Sequence, residues 1–369
     1  MQKMINSNIA KKMLALADIL VDQNAAKVLM EPQDRSTGYW FGGGDVIQVD
    51  GAFYLCGRYR NFGDSRTGVG AGARGLELAI FRADEWEGPW EKVKSFSKAD
   101  LQAGGVEVVS IEGTSLLTGE NGIELFVSTE RADRYPEGYE SFQKPGAGVW
   151  EIGILSASRV EDLEPQNLTR ILATDEAAYL HMKDPVAFHL GGGKTGVIFC
   201  DHPFTWSSSN SGLAVREEPT GAFAIRGFEI LPRGPVWDVA CARVTDVLNI
   251  PAVGGFEEGW TLYFYDGAEC LRSLDENVKA VKRPRGFSCE EIGGLAAGRS
   301  ADGPEGMGRL TVDSARFLSP HGTGCSRYVS TLVTDEGILA TWQQSQEDLS
   351  QPLVGNFVPM AEVTRILNG

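Results

Sequence analysis

Four carboxylate side chains stand at the start of four similar strand-like segments of this chain. They are Asp45 in Gly-Gly-Asp-Val-Ile, Glu112 in Ile-Glu-Gly-Thr-Ser, Asp184 in Lys-Asp-Pro-Val and Asp238 in Trp-Asp-Val-Ala. Hydrolysis of a glycosidic bond uses carboxyl groups in pairs, because a protonated one must meet the leaving oxygen while an ionised one acts at the anomeric carbon or its water. Carboxylates held close together push their pKa values apart, which leaves one protonated near neutral pH. A single strand-initial Asp more often caps its own turn, so the functional interpretation depends on the repetition.

The recurrence has the period of a β-propeller. The acidic residues are separated by roughly 55 to 70 residues, which is enough for a blade of several strands. Short apolar runs joined by turn residues follow them, as in Val46–Val49, the Asp50-Gly51 turn and Ala52–Cys56, and a fifth group of runs begins near residue 313. Residues 40 to 369 therefore predict an all-β, five-bladed β-propeller. A β-sandwich is the alternative, but it does not explain why acidic residues return at strand starts.

The first 30 residues have a helical pattern instead. Apolar residues at positions 9, 13, 16, 19 and 20 share one helical face, and Lys11, Lys12 and Asp18 break the apolar run. We expect an amphipathic helix that packs against the body or joins subunits of a homo-oligomer. The expected division is a helix and lead-in over residues 1–38 and a catalytic propeller over residues 39–369. Neither a signal peptide nor a membrane-spanning segment is recognisable, so we expect a cytoplasmic protein with no membrane partner.

Charge and residue spacing argue against several classes of partner. The chain has 50 acidic and 34 basic residues and a net charge of −16, which disfavours nucleic acid and anionic membranes as partners. Its six cysteines include no Cys-x-x-Cys pair, and its four histidines have no metal-ligand spacing. We therefore expect neither a metal nor a cofactor. The segment Gly70–Gly75 matches G-x-G-x-x-G, but it lacks the strand before it and the helix after it that a dinucleotide site requires.

Several motifs together resemble the five-bladed propeller glycosidases, namely glycoside hydrolase families 43, 32, 68 and 130. Lys183-Asp184-Pro185 is similar to the Arg-Asp-Pro or Asp-Pro found at strand starts in those enzymes. Glu112-Gly-Thr-Ser-Leu, followed by Gly122-Ile-Glu-Leu-Phe-Val-Ser, resembles their Glu-Gly-Pro segment and the strand after it. Glu87-Gly-Pro-Trp is similar to the Gly-Pro-Trp that closes a blade there. The resemblance covers roughly residues 40 to 345 and implies the propeller fold and a carbohydrate substrate.

The resemblance also implies roles for the acidic residues. In the family an Asp on blade one is the base or nucleophile, an Asp on the next blade holds it in place, and a Glu on the third blade is the acid. Asp45, Glu112 and Asp184 are accordingly the expected catalytic residues. This chain departs from the family order, because Glu112 falls on blade two and Asp184 on blade three. Glu290 or Glu291 is the alternative acid if the chain resembles family 68.

Propeller geometry predicts a second ring of site residues, because the second strand of each blade returns to the face where the first strand begins. Residues just past the second strands, together with an aromatic residue before Asp45 and the fourth recurring acid, are expected to bind the substrate. These residues are Trp40, Arg58, Arg60, Arg131, Asp201, His202, Asp238, Asp266 and Glu269. Arginine, carboxylate and aromatic side chains suit sugar hydroxyls and ring faces.

The predicted function is hydrolysis of a small glycan or glycoside in carbohydrate metabolism. A glycoside phosphorylase is an alternative, because Arg58, Arg60, Arg131 and His202 could form a cationic phosphate pocket. A carbohydrate-binding propeller without catalytic activity is a further alternative, in which the protein would be a binding protein and not an enzyme. Phosphate-dependent turnover would identify the phosphorylase, and cleavage of any glycoside would exclude the purely binding protein.

Overall fold

Five antiparallel β-sheets follow one another along the chain in the computed structural model, and their innermost strands contact one another in a closed circle. The structure describes residues 6–61, 73–119, 122–143, 146–203, 208–269 and 291–369. The sheets are the blades of a five-bladed β-propeller preceded by a helix, so the predicted fold class is confirmed.

Blades one and two contain consecutive strands. Blade one has β2 (Trp40–Gly42), β3 (Val46–Val49), β4 (Ala52–Asn61), β5 (Ala73–Ala83) and β6 (Glu91–Ser97). Its β2 and β3 both pair with β4 and together form the innermost edge. Blade two has β7 (Val108–Gly119), β8 (Gly122–Arg131), β9 (Val149–Ala157) and β10 (Thr169–Leu172). The turn between β3 and β4 uses Asp50 and Gly51 at φ 50° and 84°, the left-handed conformations that a tight hairpin requires.

Blades three and four have the same order of strands. Blade three has β11 (His181–Gly191), β12 (Lys194–His202), β13 (Asn210–Arg216) and β14 (Ala224–Leu231). Blade four has β15 (Cys241–Asn249), β16 (Trp260–Ala268), β17 (Ile292–Arg299) and β18 (Gly308–Arg309). All nine residues of β16 are buried, because neighbouring blades cover both faces of this second strand.

Blade five is completed by the N-terminal part of the chain. It contains β19 (Ser326–Val333), β20 (Gly337–Gln344) and β21 (Leu353–Pro359), and its outermost strand is β1 (Lys27–Met30), which pairs with β21. The lead-in that the sequence analysis placed outside the propeller therefore contributes a strand to it.

Two helices cover the point of closure. The helix α1 (Ser7–Leu20) buries Met13, Leu16, Ala17 and Leu20 and contacts α2 (Met360–Asn368) as well as blade five. The Lys12 ammonium donates to the Leu367 carbonyl at 2.7 Å. The predicted amphipathic helix thus packs against the propeller, and whether it also joins subunits stays a prediction.

The remaining helical segments of the described residues are single turns of 3-10 helix. They are Ala103–Gly105, Glu140–Phe142, Val160–Asp162, Pro165–Asn167, Ala177–Tyr179, Ser300–Asp302 and Pro304–Gly306. Within the described part of the chain, no helix is both long enough and apolar enough to cross a membrane.

Candidate active site

The innermost strand of every blade contains an interruption beside the site, which is a β-bulge or, in blade one, the gap between β2 and β3. The interruptions fall at residues 43–45, 112–113, 184–185, 245 and 328–329. A bulge re-aims the side chains next to it. Asp184 and Tyr328 accordingly have left-handed backbone, at φ 53° and 54°.

Side chains from all five blades meet at these interruptions. We call this group the axial cluster: Arg58, Glu112, Lys183, Asp184, Arg243, Asp266, Glu291, Arg327 and Tyr328. Because every blade contributes at least one member, the cluster lies on the propeller axis.

Glu112 is one of the two more accessible carboxylates of the cluster, with 12% of its side chain exposed. Its Oε1 accepts a hydrogen bond from the Ser110 hydroxyl at 2.8 Å, and its Oε2 lies 3.4 Å from Arg58 Nη2 and 3.8 Å from Lys183 Nζ. Burial raises the pKa of Glu112, but Lys183 and Arg58 outweigh burial and hold this pKa below its ordinary value. Glu112 is therefore ionised at neutral pH.

Asp184 is buried and held by contacts from four directions. Its Oδ1 accepts the Gly113 N–H at 2.8 Å, while its Oδ2 lies 3.0 Å from Arg243 Nη1 and 3.7 Å from Lys183 Nζ. The Tyr328 hydroxyl donates to Oδ2 at 3.4 Å. Burial opposes ionisation, but Lys183, Arg243 and Arg58 lower the pKa of Asp184 far below its ordinary value. Asp184 is thus a fixed negative charge that positions two cations.

Arg243 connects three carboxylates of the cluster. Besides Asp184, it contacts Asp266 Oδ2 at 2.7 Å and Glu291 Oε1 at 2.9 Å, both through Nη2. Burial raises the pKa of Asp266, whereas Arg243 and Arg327 overcome burial and lower the pKa of Glu291. The two acids share one guanidinium nitrogen, so their protonation is coupled. Glu291 is the exposed member of the pair, at 13%.

Tyr328 is a cluster residue that the sequence analysis did not identify. Its hydroxyl accepts from Arg58 Nη2 at 3.1 Å, and its ring lies 4.1 Å from the guanidinium carbon of Arg243. Burial raises the pKa of Tyr328 to about 12, so the hydroxyl stays protonated. No local motif marks Tyr328, but its position in the blade does. It lies at the bulge of blade five, as Glu112 and Asp184 lie at the bulges of blades two and three.

The position of Arg58 depends on a glycine. Gly43 has φ 72°, and a Cβ at this position would lie 1.7 Å from Arg58 Nη1. The guanidinium carbon of Arg58 lies 4.8 Å from the ring centroid of Trp40. Arg60 is buried nearby, and burial, together with Arg74 and the other arginines, lowers its pKa to about 10.

Of the predicted site residues, six are therefore brought together. They are Trp40, Arg58, Arg60, Glu112, Asp184 and Asp266.

Asp45 is the last residue of the interruption in blade one, directly before β3, whereas Asp184 is the first residue of the bulge in blade three. Its carboxylate accepts the Ser115 hydroxyl at 2.6 Å and the Leu116 N–H at 2.9 Å. Burial raises its pKa. Asp45 and Asp184 both line a cavity of about 240 Å³ that runs along the innermost strands. The repeat predicted a matching place for Asp45 and Asp184, but the two acids occupy opposite ends of their interruptions and have different partners.

Asp238 does not belong to the axial cluster, and the prediction that it occupies an equivalent position is wrong. It precedes β15, and its Oδ2 lies 2.8 Å from Arg309 Nε and 3.2 Å from the Tyr265 hydroxyl. Asp238 is fully buried there. The strand-initial acid of blade four thus forms a structural ion pair, and Arg243 and Asp266 supply the blade's contribution to the axis.

Arg131 and Asp201 contact residues that do not belong to the axial cluster. Arg131 is paired with Asp133 and Glu151, each at 3.0 Å. Asp201 is buried beside Asn210 and Glu229, and burial, with Glu229, raises its pKa to about 7.

His202 and Glu269 are two more predicted binding residues that do not belong to the axial cluster. His202 Nδ1 must carry a hydrogen, because it lies 2.8 Å from the Ser208 carbonyl, which only accepts. Burial lowers the pKa of His202 well below its ordinary value, so the ring is neutral. Glu269 follows β16 and is half-buried. The alternative acid Glu291 is in the cluster, and Glu290 lies outside the described residues.

The cluster combines ionised carboxylates with cations and no recognisable metal-binding group. Within the described ranges, no set of three or more His, Cys, Asp or Glu side chains is placed to hold a metal ion. The residues that sequence reasoning missed are Lys183, Arg243, Arg327 and Tyr328. Such a site can hold an ionised base or nucleophile beside a carboxylate pair that shares protons.

Comparison with known proteins gives structural neighbours only. No protein-family model matches the chain, and no curated protein matches it. An α-L-arabinofuranosidase from Lactobacillus brevis superposes with a TM-score of 0.54 at 11% identity, over 91% of this chain and 93% of that one. A thermostable family-43 glycoside hydrolase gives 0.52 at 12% identity, over 89% and 92%. A β-xylosidase/α-arabinofuranosidase of family 43 from a compost metagenome gives 0.52 at 11%, over 90% and 94%. The chain therefore has the five-bladed propeller fold of its glycoside hydrolase family 43 neighbours.

Proposed function

We propose that the protein is a glycoside hydrolase acting on a small glycan or glycoside at the axial cluster. The observation that carries this proposal is the convergence of Glu112, Asp184 and Glu291, from three different blades, around Lys183 and Arg243. Paired carboxylates on the axis are the groups that glycosidic bond cleavage requires. A neighbour with the same fold has been solved in complex with xylotriose, which supports a carbohydrate as the substrate.

The proposed roles follow from exposure and ionisation. Glu112 is ionised and partly exposed, which suits a base or nucleophile. Glu291 is the exposed member of the pair with Asp266, and the raised pKa of Asp266 lets this pair hold a proton nearer to neutral pH. We therefore assign the general acid to the pair, with Asp266, whose pKa is raised, as the member that holds the proton. Asp184 is a positioning residue, because it is buried and already fully bonded.

Replacing Asp184 by Asn tests the role of its charge. The amide keeps the size of the side chain but no longer holds Lys183 and Arg243 in place, so we expect kcat to fall by about three orders of magnitude. Turnover is measured on a panel of aryl glycosides and oligosaccharides. Asp50→Asn, in the hairpin turn of blade one, is the matched control and should keep wild-type turnover. Near-normal turnover by the Asp184 variant would make this carboxylate a structural cap.

Phosphorolysis is the second candidate, because the cluster is rich in cations. Arg58, Lys183, Arg243 and Arg327 lie within it, although Arg131 and His202 of the predicted phosphate pocket do not. If turnover requires inorganic phosphate and releases a sugar phosphate, the reaction is phosphorolysis and not hydrolysis. Absence of any turnover, with or without phosphate, combined with binding of sugars would identify a carbohydrate-binding propeller.

A further inference from the structure

Lys183 is the cation of the axial cluster whose hydrogen-bonding capacity is unused. Its side chain is 12% exposed, and its nearest carboxylate oxygens, on Asp184 and Glu112, lie 3.7 and 3.8 Å away. These distances exceed a hydrogen bond, and among the described residues the ammonium group has no acceptor within hydrogen-bond distance. An ammonium has three donors, and leaving buried donors without acceptors costs free energy. The Lys183 ammonium is therefore positioned to donate hydrogen bonds to a ligand, because the described residues supply no acceptor for them.

Two buried indole N–H groups lie beside the cations of the cluster. Lys183 Nζ lies 5.4 Å from the ring centroid of Trp150, and the guanidinium carbon of Arg327 lies 5.2 Å from that of Trp40. Trp40 and Trp150 are 4% and 3% exposed, and their Nε1 atoms have no hydrogen-bond partner among the described residues. The walls beside Lys183 and Arg327 thus present further hydrogen-bond donors.

The local charge balance is opposite to that of the whole chain. Among the described residues, six cationic side chains accompany five carboxylates in the neighbourhood of Glu112, counting Glu112 itself, in a protein of net charge −16. The cations are Arg58, Arg60, Arg74, Lys183, Arg243 and Arg327, and the carboxylates are Glu112, Glu130, Asp184, Asp266 and Glu291. Such a local surplus of positive charge favours an anionic ligand over a neutral one.

We infer that Lys183 and Arg58 form an oxyanion subsite beside Glu112, which binds a carboxylate carried by an acidic sugar. Both cations approach the same oxygen of Glu112, so one oxyanion next to that carboxylate contacts both of them. Charge-assisted hydrogen bonds from ammonium and guanidinium groups are the strongest that a protein offers to a carboxylate. The inference rests on the proposed function, since it specifies the class of glycan. Inorganic phosphate has the same oxyanion chemistry, and the experiment separates these two sources.

The test is equilibrium binding to the full-length protein by titration calorimetry. Glucuronate is compared with glucose and galacturonate with galactose, because each pair differs at C6 only, and inorganic phosphate is titrated separately. We expect the uronates to bind at least about tenfold more tightly than the neutral sugars. Lys183→Met should remove this preference, and Lys183→Arg should retain most of it. Lys194→Met is the matched control, because Lys194 lies at the other end of the same blade, paired with Glu217, and should bind like wild type.

The outcomes separate the inference from the proposed function. Uronate preference that depends on Lys183 supports the inference even if no glycoside is cleaved, whereas cleavage of neutral glycosides without uronate preference overturns it and leaves the function intact. Phosphate binding that depends on Lys183, without uronate binding, supports the oxyanion subsite and assigns it to phosphate. Thermal midpoints of the variants show whether they fold. If Lys183→Met folds and binds the uronates as tightly as wild type, the subsite is not at Lys183.

Discussion

Replacing Arg243 by Met tests the axial cluster as a unit. Arg243 is 3% exposed and contacts Asp184, Asp266 and Glu291 at 2.7 to 3.0 Å. Methionine keeps an apolar stem of similar length but leaves the three carboxylates without their shared cation. Removing one partner of a buried ion pair costs about 3–5 kcal/mol of unfolding free energy. For 369 residues the unfolding entropy is about 0.8 kcal/mol per kelvin, so the thermal midpoint should fall by about 4–6 °C.

The loss of stability should also depend on pH, and the raised pKa of Asp266 decides the direction of this dependence. Burial raises the pKa of Asp266 to about 6 against the lowering effect of Arg243, so in the wild type this acid is ionised and paired with Arg243 at pH 8 but mostly protonated at pH 5. Without Arg243 the folded carboxylates take up protons more readily, so the deficit of the variant should be largest at pH 8 and smaller at pH 5.

Thermal unfolding followed by circular dichroism at both pH values measures this effect. Arg316→Met is the matched control, since Arg316 pairs with Asp18 on the surface and should change the unfolding free energy by about 1 kcal/mol at most. A wild-type midpoint for the Arg243 variant at pH 8, or an equal deficit at both pH values, would refute the reasoning.

Three further perturbations have distinct expected outcomes. Glu112→Gln should lower kcat by about three orders of magnitude in glycoside hydrolysis, without lowering the thermal midpoint; full turnover would exclude Glu112 as base or nucleophile. Asp238→Asn should reduce stability by about 3 kcal/mol in urea unfolding, because it removes the buried partner of Arg309, but leave kcat unchanged; a loss of kcat alone would place Asp238 in the site. Burial raises the folded pKa of Asp246 to about 7, so the wild type should lose stability as pH rises from about 4 to about 7. Asp246→Asn should therefore raise the midpoint at pH 8 and leave it unchanged at pH 4, and an equal change at both would contradict the burial argument.

The sequence predicted the elements whose signals are local. The strand Val46–Val49 and its turn at Asp50-Gly51 have the predicted bounds, because alternating apolar residues and a left-handed turn pair are short-range signals. The five blades were predictable for the same reason. The strand Lys27–Met30 was not, because its four residues become a strand only by pairing with Leu353–Pro359 at the other end of the chain.

The candidate site was predictable only where a side chain stood at a strand start. Glu112 and Asp184 were found in this way, but Asp238 has the same local pattern and pairs with Arg309 instead. Only the tertiary structure distinguishes Asp238 from Glu112 and Asp184, since the role of each acid depends on which residues of the neighbouring strands it meets. Tyr328 and Arg243 lie inside ordinary strand sequence, and nothing local indicates that Tyr328 falls at a bulge or that Arg243 meets the carboxylates of the axial cluster.

The strand β1 has a consequence for the order of folding. The contact between Lys27–Met30 and Leu353–Pro359 closes a loop of more than three hundred residues, so it is entropically expensive compared with the hairpins inside each blade. Until it forms, β21 exposes an unpaired strand edge that could template association between chains. The helices α1 and α2 cover this seam after docking, and Lys12 fastens one to the other. The junction between the two ends of the chain is therefore where the partly folded protein is most exposed to aggregation.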